Sequence, residues 1–291
     1  MEEKTFRILV VHHKKDRVYK DDVYMPVHAG KSLSDIDLGM VGDDTGDNIS
    51  DRNPCFCELT ALYWAWKNLK GTDFIGLCHY RRYFDFHHTV PDIYYAKNES
   101  VGKMDSFDFT LPEETRKRLI DGETVVSVPK TMNRTVFRDY CKRHSESDLY
   151  LLRQTIAESS CQYLDAFDKV MLGNEYSPYN MFVMSWNDFD RYCSWLFGIL
   201  FRLEGKLDIS SHSKYQQRVY GFMAERLLNV FLTAENKRLD RYPVIMFNEG
   251  TDYKRYSVLK QYFSLMIKRL QFMFNKDTSG YRRFTAGYRT A

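Results

Sequence analysis

The chain has 291 residues, with 44% hydrophobic and 28% charged side chains and a net charge of +3. This is the make-up of a globular protein, either one large α/β domain or one domain plus a helical subdomain. The near-balance of charge gives no ground for nucleic-acid binding, and no apolar run approaches the roughly 20 residues that span a bilayer.

Met1-Glu2-Glu3-Lys4 runs directly into a strand-like segment with no signal-peptide pattern, and six Cys are too few for a disulfide scaffold, so a reducing cytoplasm is expected. Cys55-x-Cys57 has no second pair to complete a zinc site. Aromatic residues reach 15%, with 21 Tyr and 20 Phe. They build cores and also line sugar and nucleotide sites.

Phe6 to Val11 (FRILVV) is a short β-branched apolar run and reads as a buried strand. Residues 39–53 are rich in Gly, Asp and Asn and read as loop. Asn53-Pro54 supplies a cap and a first-turn proline for a helix that carries Leu59, Leu62, Tyr63, Trp66 and Leu69 and stops near Gly71. Phe74 to Cys78 is the next buried strand. A short helix over 112–121, a strand over 124–128, a long helix over 148–171 and a strand over 180–185 follow. Helices over 187–205 and 215–233 and a last core strand over 242–247 complete the pattern, with no internal repeat. Strands alternating with helices predict a mostly parallel sheet covered on both faces.

In such sheets ligands bind beyond the carboxyl ends of the strands. That rule selects two polar clusters, His12-His13-Lys14 after the first strand and His79-Tyr80-Arg81-Arg82 after the second. Guanidinium forks match phosphate oxygens, so His79, Arg81 and Arg82 suit a diphosphate, with Tyr80 and Tyr83 adding hydroxyls or a stacking face. The alternative is a salt-bridged structural cluster. His12, His13 and Lys14 suit a nucleotide phosphate or base, or belong to an ordinary exposed loop. Asp43, Asp44 and Asp47 fit no metal-binding spacing and read as an Asp-capped turn or a contact to substrate hydroxyls. Glu58, early in its helix, is explained either by the helix dipole or by a ligand. Glu225, Glu175 and Asp44 are the candidate general bases. Arg226 beside Glu225 reads as a surface pair or part of a site. P-loop, dinucleotide-binding and nucleophile-elbow motifs are all missing from the sequence. Residues 251–291 hold nine Lys or Arg and two Asp, a surplus of +7 that leaves −4 for the rest of the chain. This basic, apolar tail suits either an anionic membrane surface or partial packing on the domain.

The segments Asn48-Ile49-Ser50, 53–68 (NPCFCELTALYWAWKN) and 74–84 (FIGLCHYRRYF) resemble a bacterial family first catalogued as a domain of unknown function. So do Tyr179 to Phe182 and Gln217 to Leu227. Members of this family occur in capsule and exopolysaccharide gene sets and are regarded as glycosyltransferases. The resemblance covers about Ile8 to Leu232 and excludes the basic tail. It implies an α/β, GT-A-like fold over 1–250 followed by an amphipathic tail over 251–291. It also implies transfer of a hexosyl group, with inversion, from a nucleotide-diphosphate sugar (a UDP-sugar is expected) to a glycan or lipid-linked acceptor. Capsular, exopolysaccharide or O-antigen assembly is the setting, at the inner face of the cell membrane if the tail binds lipid. In this reading His13, Lys14, His79, Tyr80, Arg81 and Arg82 bind the donor and Tyr179 and Asn180 the acceptor. GT-A enzymes carry an Asp-x-Asp metal site where this chain has His79-Tyr80-Arg81-Arg82. Fixed cations are therefore expected in place of a divalent metal. A non-catalytic scaffold in a polysaccharide assembly complex is the competing expectation.

Overall fold

The computed structural model describes residues 3–88, 96–250, 258–275 and 278–286. Twelve strands are present among them: β1 (Phe6–His12), β2 (Tyr24–His28), β3 (Val41–Gly42), β4 (Phe74–His79), β5 (Arg82–Phe84), β6 (Ala96–Ser100), β7 (Thr124–Ser127), β8 (Lys130–Thr131), β9 (Glu175–Tyr176), β10 (Phe182–Ser185), β11 (Leu239–Tyr242) and β12 (Val244–Asn248). The main sheet runs β11-β7-β10-β4-β1-β2-β3, and β5, β12 and β6 branch from β4. β1 lies parallel to β2 and β4, whereas β10 runs antiparallel to β4 and β7. The sheet is thus mixed about a parallel centre. β8 and β9 form a separate antiparallel pair.

The helices are α1 (Asn53–Phe56), α2 (Leu59–Asn68), α3 (Glu113–Ile120), α4 (Val136–Cys141), α5 (Glu146–Ser159), α6 (Leu164–Leu172), α7 (Trp186–Glu204), α8 (Val219–Ala234), α9 (Val258–Asn275) and α10 (Ser279–Ala286). Alternation along the strands splits the interior into two cores. Leu9, Val11, Ile75, Leu77 and Phe182 face α2 and α5–α8. Ile8, Val10, Cys78 and Val183 face the other way, into an aromatic layer that includes Tyr24, Tyr83, Phe84 and Phe109. Most of the aromatic surplus is spent on these cores. Gly76 sits where β10 crosses close to β4: a Cβ there would lie 2.7 Å from the Phe182 carbonyl oxygen.

Three expected elements are built differently. The helix over 53–69 breaks at Cys57, whose φ of 53° lies in the left-handed region. Asn53 is consequently not a cap. Its side chain braces the break, donating to the Cys57 carbonyl at 2.8 Å and to Thr60 Oγ1 at 3.1 Å. The helix over 148–171 is two helices, α5 and α6, joined through Ser160 and a short 3-10 turn. The last core strand is two strands, because Pro243 interrupts the ladder between β11 and β12. In the tail, α9 presents Leu259, Phe263, Met266, Leu270, Met273 and Phe274 to solvent. α10 returns to bury Tyr281 and Phe284 against Phe137 of α4.

His12, at the end of β1, is fully buried with no partner for either ring nitrogen. It is not a phosphate contact. Burial pushes its imidazole from 6.5 down to about 4, against the pull of Asp16. The unfolded chain takes up this proton first as pH falls. The stability tied to neutral His12 is therefore complete above pH 6.5 and is lost between 6.5 and about 4. Denaturant unfolding followed over that range should show a loss on the order of 2 kcal/mol from this group, and His12→Leu should flatten the slope.

Candidate functional site

A cleft of about 1240 Å³ opens at the carboxyl ends of β1 and β4. His79, Tyr80, Arg81 and Arg82 form the end of β4, a tight turn and the start of β5, with His79 paired directly across from Arg82. Opposed residues share a face, and both side chains line the cleft. The alternate residues, Cys78 and Tyr83, point into the core. Tyr83 stacks on Phe109 at 4.4 Å and is therefore no ligand group.

The four residues have distinct roles. His79 Nε2 donates to the Tyr179 carbonyl at 2.7 Å, and burial beside Arg82 pushes the imidazole down to about 3. It is neutral, which corrects its assignment as a phosphate-neutralising cation. Arg81 Nε donates to Asp16 at 2.7 Å and its Nη2 to Glu249 at 2.8 Å, so its charge is matched at the rim. Arg82 lies with its guanidinium 4.9 Å from the Tyr179 ring centre. Among the described residues no carboxylate pairs with it. Tyr80 packs edge-on against His13 at 5.1 Å. His13 lines the cleft, and Lys14 Nζ stands 5.9 Å from the Tyr80 ring centre, outside the lining.

The opposite wall is built around Tyr179 and Asn180, two consecutive residues with φ of 76° and 54°. Tyr179 N–H donates to Glu225 Oε1 at 3.1 Å. Asn180 Nδ2 donates to Glu58 Oε1 at 2.7 Å and approaches the Gly221 carbonyl at 3.4 Å. Asn180 is 1% exposed. That burial removes it from direct acceptor contact, whereas Tyr179 does line the cleft. The preceding loop is clamped from β7 and α8. Ser127 Oγ donates to Pro178 O, Ser177 Oγ donates to Ser127 O, and Asn229 both receives from Ser177 N–H and donates to Ser177 O.

Among the described residues, Glu225 and Glu58 are the two carboxylates that line the cleft. Glu225 Oε2 accepts from Arg226 at 2.8 Å. Arg226 is not a surface partner. It is 4% exposed, sandwiched against the rings of Tyr140 and Tyr176, and also donates to the Phe222 carbonyl. Glu58 reaches the cleft because the backbone turns at Cys57, immediately before it. Gly221 makes room for that turn: a Cβ there would approach Cys57 Sγ at 3.3 Å.

The other two candidate bases lie elsewhere. Asp44 is exposed on its loop and outside the lining, and Glu175 sits on β9, facing Thr131 and Arg269. Asp43 is structural. Its buried carboxylate accepts from Gly30 N–H at 2.9 Å, Lys31 N–H at 3.1 Å and Ser50 Oγ at 2.5 Å. Asp47 accepts from the Tyr63 hydroxyl.

Sequence reasoning passed over Arg218, Lys130, Arg143 and His144, which also line the cleft. They come from β8, from the segment after α4 and from the turn before α8, with no shared pattern. Arg218 donates to Cys57 Sγ at 3.2 Å. The GT-A metal does not fit what is present. β4 ends in His79-Tyr80-Arg81-Arg82, and among the described residues no three His, Cys, Asp or Glu converge as a metal site.

Comparison with known proteins bears on the fold and the family. No curated protein matches the sequence. A solved structure titled "WbbM bifunctional glycosytransferase apo structure" shares the fold with a TM-score of 0.74 and 27% sequence identity over 88% of this chain. The chain spans about half of that protein, 48% of its length. The expected α/β architecture, a glycosyltransferase-type sheet flanked by helices with a helical C-terminal part, is thus present. Residues 7–237 match the family model described as "Domain of unknown function (DUF4422)", and the chain belongs to that family.

Proposed function

We propose that the chain is a glycosyltransferase that moves a hexosyl group from a nucleotide-diphosphate sugar, a UDP-sugar, to a glycan or lipid-linked acceptor. The observation that carries this reading is Arg82, a guanidinium held in the cleft at the end of the central strands with no carboxylate, among the described residues, to neutralise it. The likeness to a solved glycosyltransferase supports the reaction class. The polysaccharide setting (capsule, exopolysaccharide or O-antigen) rests on the resemblance of the sequence motifs. Residues 1–250 carry the transferase, and 251–291 form the basic amphipathic tail.

Arg82 and Arg218 hold the donor diphosphate, with Arg81 at the rim. The nucleoside lies beside His13 and Tyr80, with Lys14 outside them. Neutral His79 binds no phosphate charge and positions the Tyr179 carbonyl. The acceptor enters past Tyr179. Its hydroxyl oxygen attacks the anomeric carbon, and the bond from that carbon to the diphosphate oxygen breaks. The nucleoside diphosphate leaves with the electron pair, the hydroxyl proton passes to Glu225, and the anomeric configuration inverts. Fixed guanidinium groups aimed at the leaving diphosphate stabilise its developing charge without reorganisation.

Uridine diphosphate should therefore raise the melting temperature of the wild-type protein. A ligand at 100 times its dissociation constant adds about 2.7 kcal/mol of stability. Arg82→Ala and Arg218→Ala should each weaken nucleotide binding by about tenfold or more, read by calorimetry. Transfer should persist after treatment with a chelator.

Glu225→Gln should lower kcat by about 10²- to 10⁴-fold while leaving the nucleotide shift in place. Glu58→Gln should cost less. NMR of the product should show an inverted anomeric centre.

Among the described residues no helix is long and apolar enough to cross a membrane. We place α9 on an anionic lipid surface instead. Its exposed apolar residues recur at helical spacing, it carries Lys260, Lys268 and Arg269, and it has no acidic residue. The protein should co-sediment with vesicles of phosphatidylglycerol and phosphatidylcholine, and Leu270→Glu combined with Met273→Glu should abolish this.

A further inference from the structure

A second cavity, of about 620 Å³, lies between β8, α4 and α9. It shares only Lys130 and Arg143 with the cleft. Among the described residues Lys130, Arg134, Arg143, Lys260 and Lys268 line it, with Asp139 as the carboxylate. Asp139 answers Lys130, at 3.7 Å. Arg134 Nε is buried with no hydrogen-bond partner. The surplus of guanidinium and ammonium groups along this wall suits an anion. Free phosphate would satisfy the charge but not the rest of the wall. Phe263 and Ile267, 59% and 51% exposed, line the same cavity and continue into the apolar stripe of α9. Asn133 Nδ2 donates to Gln271 Oε1 at 3.3 Å, which holds α9 against β8 at this point.

We propose that this cavity is the subsite for the phosphate group of a lipid-anchored acceptor. Its cations hold the phosphate, the flank of α9 receives the first part of the lipid chain, and Lys130 and Arg143 stand at the junction with the transferase cleft. The inference rests on the transferase reading and adds the acceptor class and the residues that recognise it. It also accounts for a cationic surface separate from the one that faces the donor. The attacking hydroxyl of a glycan carried on a lipid diphosphate must enter the cleft while the phosphate stays outside it. A cationic pocket bordering the cleft, beside an apolar stripe, meets both needs.

Calorimetry on the full chain tests this with farnesyl diphosphate, below its micellar concentration, and with inorganic pyrophosphate. Farnesyl diphosphate should bind more tightly than pyrophosphate. Arg134→Ala and Lys268→Ala should each weaken it by about tenfold, since each removes a charge-assisted contact. The shift produced by uridine diphosphate should stay unchanged in both variants, which also shows that they are folded. Equal binding of pyrophosphate and farnesyl diphosphate, or unchanged farnesyl diphosphate binding in the variants, would overturn the proposal. Vesicles of phosphatidylglycerol and phosphatidylcholine supply the other arm. If Arg134→Ala reduced vesicle recruitment and left farnesyl diphosphate binding intact, the pocket would serve a headgroup and not an acceptor. Nucleotide binding without farnesyl diphosphate binding overturns the subsite and leaves the transferase reading standing. The reverse result keeps the subsite and overturns the transferase reading.

Discussion

The left-handed pair Tyr179–Asn180 is the constraint on which the cleft depends. Each non-glycine residue held there costs on the order of 1 kcal/mol or more, and such strain persists only where the surroundings over-determine it. Here they do. The Tyr179 carbonyl is taken by His79 at the end of β4, its N–H by Glu225 of α8, and the Asn180 amide by Glu58 at the start of α2. One dipeptide thereby fixes groups from three separate elements. Ser127 and Asn229 lock the residues just before it, so the loop carries little freedom of its own. The strain at Cys57 belongs to the same arrangement. The turn there brings Glu58 to Asn180, and Gly221 of α8 leaves space for it.

Charge is placed by the same logic. Glu225 is held by a backbone N–H and by Arg226, whose own burial is offset by two aromatic faces and the Phe222 carbonyl. Arg81 is matched by Asp16 and Glu249. His79 is kept neutral, first by burial and then by the charge of Arg82 beside it. Arg82 is the member of the group left without a carboxylate among the described residues, and its neighbours are arranged so that it faces a ring and the cleft. A neutral His79 matters for this. A second positive charge directly opposite Arg82 would repel it, whereas a neutral imidazole spends its N–H on the Tyr179 carbonyl and organises the far wall.

Much of this architecture was legible in the chain. Strands β1, β4, β7 and β10 announce themselves as short apolar runs, and the rule that ligands gather beyond strand ends led directly to His79–Arg82. The strands that escaped notice are short or polar. β2 contains Pro26, β6 (AKNES) has one apolar residue, and β5 is three residues hidden in the aromatic run after the turn. The individual roles were less legible because they depend on which way each side chain points. Period-two alternation separates Arg82 from Tyr83 only once the turn at Tyr80–Arg81 is known. Asp43 and Asp44 are adjacent in sequence, yet one is buried under backbone N–H groups and the other lies in water. Glu58 could not be placed in a cleft while its helix was read as continuous, because the break at Cys57 turns on a brace from Asn53 that resembles an ordinary cap.

The tail raises the question of what an exposed apolar stripe is worth. Fully burying one large apolar side chain yields about 1.5–3 kcal/mol. The same chain segment that leaves α9 in water returns in α10 to bury Tyr281 and Phe284, and Tyr281 donates to Asp168. α9 leans on the protein through its less exposed residues Gln261, Leu265, Lys268 and Phe272, flanked by the contacts of Gln271 with Asn133 and of Arg269 with Glu175. This leaves Leu259, Met266, Leu270 and Met273 outward, with Phe263, Ile267 and Lys268 along the cationic cavity. A helix needed only to cover the core would be rotated the other way. Its orientation makes sense when the apolar side meets a lipid phase and the basic side meets phosphate, which places both the lipid and the polar end of one substrate along a single helix.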